Sequence, residues 1–204
     1  GEALVREADK WGCNSLHVAC TKNASIDVVS KLVEVGEDVI VRETNNMGRN
    51  SLHIACTCNA SIDVISKLVE AGGEVIVREK DNMGRNSLHI ACTCNASIDV
   101  AACRNNASIY VVSKLVEIGG EALVRETNNQ GWNSLHFACR YKASKDEFGE
   151  TSLHYALQYR ASLDVISKTA DKWGCNSLHV ACTKNASIDV VSIIRVTTHS
   201  IVHA

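Results

Sequence analysis

The chain has 204 residues, 46% of them hydrophobic, and a formal net charge of −2. That is ample apolar material for a stacked core, while the near-neutral balance argues against a broad nucleic-acid or membrane surface, which normally shows as a basic excess. No apolar run is long enough to span a bilayer and the sequence opens inside a repeat instead of a signal peptide, so a soluble, intracellular, cytoplasmic protein is expected.

Residues 1 to 8, Gly-Glu-Ala-Leu-Val-Arg-Glu-Ala, match the tail of a repeat (compare Gly120 to Thr127), and the first full unit runs from Asp9 to Thr44. A second unit follows in strict register from Asn45 to Lys80. Both carry the frame Gly-x-Asn-Ser-Leu-His-x-Ala-Cys, which begins at Gly12 and Gly48, returns at Gly84, Gly131 and Gly174, and has a looser copy at Gly149. Glycine permits positive φ, and Asn50 is a strong N-cap whose side-chain oxygen accepts an orphan backbone N–H. A helix is therefore predicted to start at Ser51. Leu52, Ala55 and Cys56 then share one apolar, small-residue face suited to close packing.

A second helix is predicted from Ser25 as N-cap, with Ile26, Val29, Leu32 and Val33 as its buried seam and Gly36 as its terminator. The third unit begins at Asp81, but the block Ala91 to Val100 is echoed eleven residues later, and the spacing between frame glycines grows from 36 to 47. Either eleven residues were inserted or two units were fused with 25 lost; both predict an extra short helix at about 97–103. The fourth unit, with only 18 residues from Gly131 to Gly149, has a first helix (Asn133 to Tyr141) and no second. The fifth keeps Ser152 to Tyr159 and a shortened Ser162 to Ala170, and the last, from Lys172, is regular as far as Ser192. These joins place the weakest part of the stack between 141 and 175, and the uncapped ends predict association or fraying.

The Ser-Leu-His-x-Ala run, followed at the expected distance by the second apolar block, resembles the Thr-Pro-Leu-His-x-Ala signature of ankyrin repeats. The resemblance covers nearly the whole chain, with two departures. Asn-Ser replaces Thr-Pro, and the unit is 36 residues long, against about 33 in the family. The excess falls in residues 36 to 43, which suggests an enlarged or reshaped finger. The resemblance implies an all-α solenoid of stacked helix-turn-helix units with irregular third to fifth units. It is read as a single domain over 1–204, with units at about 9–44, 45–80, 81–127, 128–145, 146–170 and 171–204.

Among ten cysteines, Cys20, Cys56, Cys92, Cys139 and Cys182 occupy one slot of the frame. Equivalent slots form a ladder along the stack, so they are read as small packing residues and not as disulfide partners. The Asn-Ala-Ser tripeptides at Asn23, Asn59, Asn95, Asn106 and Asn185 match the glycosylation acceptor pattern but read as turns leading into a helix capped by the serine. His17, His53, His89, His136, His154 and His179 recur at one frame position, and all but His154 have a cysteine three residues on. A structural zinc site needs four convergent ligands, whereas these are spread one per unit. No metal or cofactor is expected; a hydrogen bond tying turn to helix is, which the resemblance also implies. Neither a phosphate-cradling loop nor a nucleophile elbow is present, and repetition argues against a unique catalytic centre, so no enzyme is expected.

Variation between the copies concentrates in two columns. Before the frame glycine stand Trp11, Met47, Met83, Gln130, Phe148 and Trp173; after it stand Cys13, Arg49, Arg85, Trp132, Glu150 and Cys175. Trp, Met and Arg are enriched in protein-binding surfaces, so Trp11, Met47, Arg49, Met83, Arg85, Trp132, Tyr141, Phe148 and Trp173 are the candidate partner-binding residues. The competing reading is that these side chains brace one finger against the next. Val18, Ile54, Ile90, Phe137, Tyr155 and Val180, which follow the histidines, are assigned to the core. The function the resemblance implies is a non-catalytic module that binds another protein through a concave face and finger tips; the alternative is a structural fragment of a longer array with no partner of its own.

Overall fold

The computed structural model describes residues 2–94, 107–134 and 136–137. Its helices are α1 (Glu2–Arg6), α2 (Ser15–Thr21), α3 (Ile26–Arg42), α4 (Ser51–Thr57), α5 (Ile62–Arg78), α6 (Ser87–Cys94) and α7 (Ala107–Arg125), and no strand occurs among the described residues. Short helices α2, α4 and α6 pack on long helices α3, α5 and α7 of the same unit. Short stacks on short and long on long between units, so the chain is a solenoid of helix-turn-helix layers. One apolar cluster runs through it, with Leu16, Leu52, Leu88, Leu68 and Leu115 buried at its centre.

Each short helix starts where its sequence dictates. Asn14 and Asn50 are extended N-caps whose side-chain oxygens accept from the backbone N–H of His17 and His53 at 3.0 Å in both cases. Asparagine does here what the threonine of the family signature cannot. Its Nδ2 also donates to the far end of the unit, from Asn50 to Ile76 O at 3.1 Å and to Glu79 Oε2 at 2.7 Å. Asn14 repeats this with Ile40 O and Glu43, and Asn86 with Glu126. Both ends of the amide are thus satisfied in a buried site, where an unpaired polar atom would cost about 1–3 kcal/mol.

The structure corrects two expectations at the end of the long helix. Gly36 does not terminate it; positive φ falls on the next residue, Glu37 (φ 56, ψ −162), and on its counterparts Gly73 (φ 66) and Gly120 (φ 61). A single kink there separates two helical segments. Gly36 has a different reason to be glycine, because a Cβ would lie 2.8 Å from that of Ile40. Nor do the additional residues enlarge a finger. They form the second helical segment, whose Ile40 and Val41 are fully buried, as are Ile76 and Val77. Apolar burial, at roughly 25 cal/mol per Å², is what folds this stretch back onto the stack.

The seam of α3 is as expected at Val29 and Val33, while Ile26 and Leu32 are partly buried. Ser25 occupies the N-cap without making a side-chain bond, whereas Ser61 caps Val64 N at 3.4 Å. Ile54, Ile90 and Phe137 are buried as assigned; Val18, in the first described short helix, is 44% exposed. The short helix expected at 97–103, the second half of the fourth unit, the fifth and sixth units, Tyr155 and Val180 lie outside the described residues.

Candidate functional site

The candidate surface is built on the turns that precede the short helices. In each, an Asx side chain folds the backbone over itself: Asn45 Oδ1 accepts from Met47 N at 2.9 Å and Arg49 N at 3.1 Å. Asp9, Asp81 and Asn128 do the same in their own turns. This is the local geometry that Asx residues favour. The glycine that follows has positive φ, as at Gly48 (φ 71). It also faces the next turn, where Asn82 stands against the place a Cβ would take.

Successive turns are laced together. Asn46 N donates to Trp11 O, Asn82 N to Met47 O and Asn129 N to Met83 O, at 3.0 to 3.1 Å. The side chains of the same asparagines donate to Lys10 O, Asn46 O and Asn82 O. The sequence reading missed this ladder. Its signal was present, since asparagine recurs at 46, 82 and 129 and only the first described turn has lysine there.

The ladder fixes Trp11, Met47, Met83 and Gln130 at equivalent points of adjacent turns. Trp11 and Met47 are each 61% exposed and Met83 is 53% exposed. Lys10 Nζ lies 4.3 Å from the Trp11 ring centroid and leaves the tryptophan open to solvent. The column after the glycine turns inward. Arg85 binds Asp81 Oδ2 through Nη2 at 2.7 Å, and Arg49 Nε approaches the same oxygen at 3.5 Å. Burial pushes the Asp81 carboxyl up, but the Arg85 guanidinium with the backbone N–H groups of Arg85 and Met83 outweighs it and holds the group below the usual carboxylate range. Trp132, expected on the surface stripe, is buried. Its ring meets Phe137 edge-on at 5.4 Å and stacks on His136 at 5.9 Å. Tyr141, Phe148 and Trp173 lie outside the described residues.

The histidines bind unit to unit. His53 Nδ1 accepts from Asn50 N at 3.3 Å, and Nε2 meets the carbonyl of Arg85 in the next turn at 3.1 Å. A carbonyl can only accept, so the proton sits on Nε2. His17 and His89 are held alike, by Arg49 O and Glu126 O. His53 Nδ1 also stands 2.6 Å from Asn50 Oδ1; with the proton on Nε2 both atoms are acceptors there, so this is a contact and not a further bond. Burial pushes the His53 and His89 rings down to about 4, partly opposed by their carbonyl bonds, and lowers His17 as well. With both nitrogens engaged, these rings have none to offer a metal. Among the described residues no three His, Cys, Asp or Glu side chains converge on a point. Cys20, Cys56 and Cys92 are buried, and burial raises the Cys20 thiol to about 12.

This geometry of stacked helical layers, laced turns and buried frame histidines is that of ankyrin repeats. Residues 16–101 match the family model described as ankyrin repeats, in 3 copies. No curated protein matched the chain. Ankyrin repeats are in general non-catalytic modules of protein–protein interaction. No helix among the described residues is long and apolar enough to cross a membrane.

Proposed function

We propose that this chain is a cytoplasmic, scaffold-type module that binds another protein through the concave face and finger tips of one repeat domain, divided into the units given above. The observation that carries the reading is the row of Trp11, Met47 and Met83, all more than half exposed and held in register by backbone hydrogen bonds. Large apolar side chains in water on a rigid frame contribute nothing to folding, and Trp and Met are enriched where proteins meet. Arg49 and Arg85 stand behind the row, mostly buried and held on the shared Asp81 carboxylate. Trp132 acts in this reading as a brace, and Tyr141, Phe148 and Trp173 extend the proposed surface by sequence position.

The test is affinity capture with wild type and with the Trp11→Ala/Met47→Ala/Met83→Ala triple variant, whose substituted side chains are exposed. A partner held by wild type and lost from the variant supports the reading. Equal capture by both refutes this surface, and no partner for either favours a structural fragment of a longer array. A second reading, self-association through an uncapped end, is favoured by the exposure of Val18, Val28 and Leu4.

A further inference from the structure

The two arginines behind the row do not share Asp81 equally. Asp81 Oδ1 accepts from Met83 N at 2.9 Å and Arg85 N at 3.0 Å, and Oδ2 accepts from Arg85 Nε at 3.0 Å and Nη2 at 2.7 Å. Those bonds fill the roughly four acceptor sites of a carboxylate. Arg49 reaches the same Oδ2 only at 3.5 Å, through a Nε that is closed off from water, and its guanidinium makes no hydrogen bond with a described residue.

The cause lies in the turn that carries Arg49. Its Asx residue is Asn45, where the turn of Arg85 has Asp81. Both side chains fold their turns alike through Oδ1, but the second polar atom of Asn45 is an amide nitrogen, which donates to Cys13 Sγ at 3.7 Å and offers a guanidinium nothing. Arg49 therefore leans across to the next turn, where the carboxylate is already taken. Two guanidiniums meet one carboxylate there, and one positive charge is left over. The Arg49 side chain keeps 20% of its surface open, and it spans the two turns that present Met47 and Met83.

We propose that Arg49 receives a carboxylate of the partner, so that the segment bound on the row is an acidic peptide whose apolar side chains lie on Trp11, Met47 and Met83 and whose Asp or Glu meets the Nη groups of Arg49 between the two methionines. This rests on the row being the binding surface and gives its partner a chemistry. A guanidinium offers a carboxylate parallel N–H groups in a fixed fork, which a lysine at the same place would not. The laced turns hold Arg49 in position beforehand, so the contact requires no movement of the stack.

A random peptide library displayed on phage tests this, panned on the full chain and depleted on the Trp11→Ala/Met47→Ala/Met83→Ala variant so that the peptides kept are those that need the row. They are expected to carry Asp or Glu among apolar residues. Fluorescence anisotropy of synthetic copies, amidated at the C-terminus so that only side-chain carboxylates count, should show affinity falling about tenfold when the acid is replaced by its amide. Arg49→Gln should cause the same loss for the acidic peptide and none for the amide peptide. Asn45→Asp should act like Arg49→Gln although it keeps both the turn and the arginine, because it gives Arg49 the carboxylate that Arg85 already has; helical circular dichroism is unchanged in both variants. Row-dependent peptides that lack an acid, or that bind both variants as well as wild type, overturn the carboxylate and leave the row as a binding surface. A library that yields no row-dependent peptide overturns the row itself, and the inference with it.

Discussion

Replacing Glu37 with glycine should stabilise the protein. Glu37 holds φ 56 and ψ −162, a backbone region open almost only to glycine, and the two later units have glycine there with φ 66 and φ 61. A side chain in such a region costs about 1–3 kcal/mol. Against that stands the additional freedom a glycine releases on unfolding, about 0.5–1 kcal/mol. Glu37 is exposed and its side chain makes no ion pair or hydrogen bond that the substitution would remove. The net gain is therefore up to about 2.5 kcal/mol and centres near 1 kcal/mol, which for a chain of this length raises the melting temperature by roughly 2–4 °C and at most about 10 °C. The assay is thermal and urea unfolding followed by helical circular dichroism. The converse substitutions, Gly73→Ala and Gly120→Ala, put a methyl into open space with nothing within 4 Å, so any loss they cause is conformational. If Glu37→Gly is neutral or destabilising while the two alanines cost nothing, the kink does not require positive φ and the account of this turn fails.

Asn50→Thr, which restores the family's own capping residue, should keep the cap on His53 N and lose the bonds to Ile76 O and Glu79; a cost of about 1–3 kcal/mol in urea unfolding is expected, and an unchanged midpoint would show those bonds to be idle. His53 and His89 have folded values of about 4, below the ordinary 6.5, so the unfolded state binds more protons between those limits. Stability is then full above that ordinary value and falls as pH drops toward 4, by about 2 kcal/mol per ring near pH 5; a urea midpoint that is flat across this window contradicts the buried neutral rings. Native thiol labelling mapped by mass spectrometry should modify the half-buried Cys13 well before Cys20, which is 1% exposed with its thiol raised to about 12; equal rates would mean that the layers open freely.

Much of the frame was legible because it rests on local rules. An asparagine before an apolar block caps a helix whatever lies around it, and Leu52 and Leu88 could be assigned to the core from spacing alone. The end of the long helix was not, because two adjacent positions share its work: Gly36 makes room for Ile40, while Glu37 carries the positive φ. A residue that breaks the local rule leaves no mark in a single copy; the glycines at 73 and 120 were the available clue. The candidate surface was read as two variable columns, but sequence has no means of telling which column faces water. That is decided by the direction of the chain through a turn, so Met47 points out while Trp132, in the other column, finds Phe137.

The ladder of asparagines that joins one turn to the next uses main-chain carbonyls as its rungs. Whatever side chain stands before the glycine, the rung is unaltered. Tryptophan, methionine and glutamine have already been placed there within this one molecule without disturbing the spacing of the tips. The chain therefore separates its grammar from its vocabulary: its tips can be rewritten one at a time, and the stack beneath does not register the change.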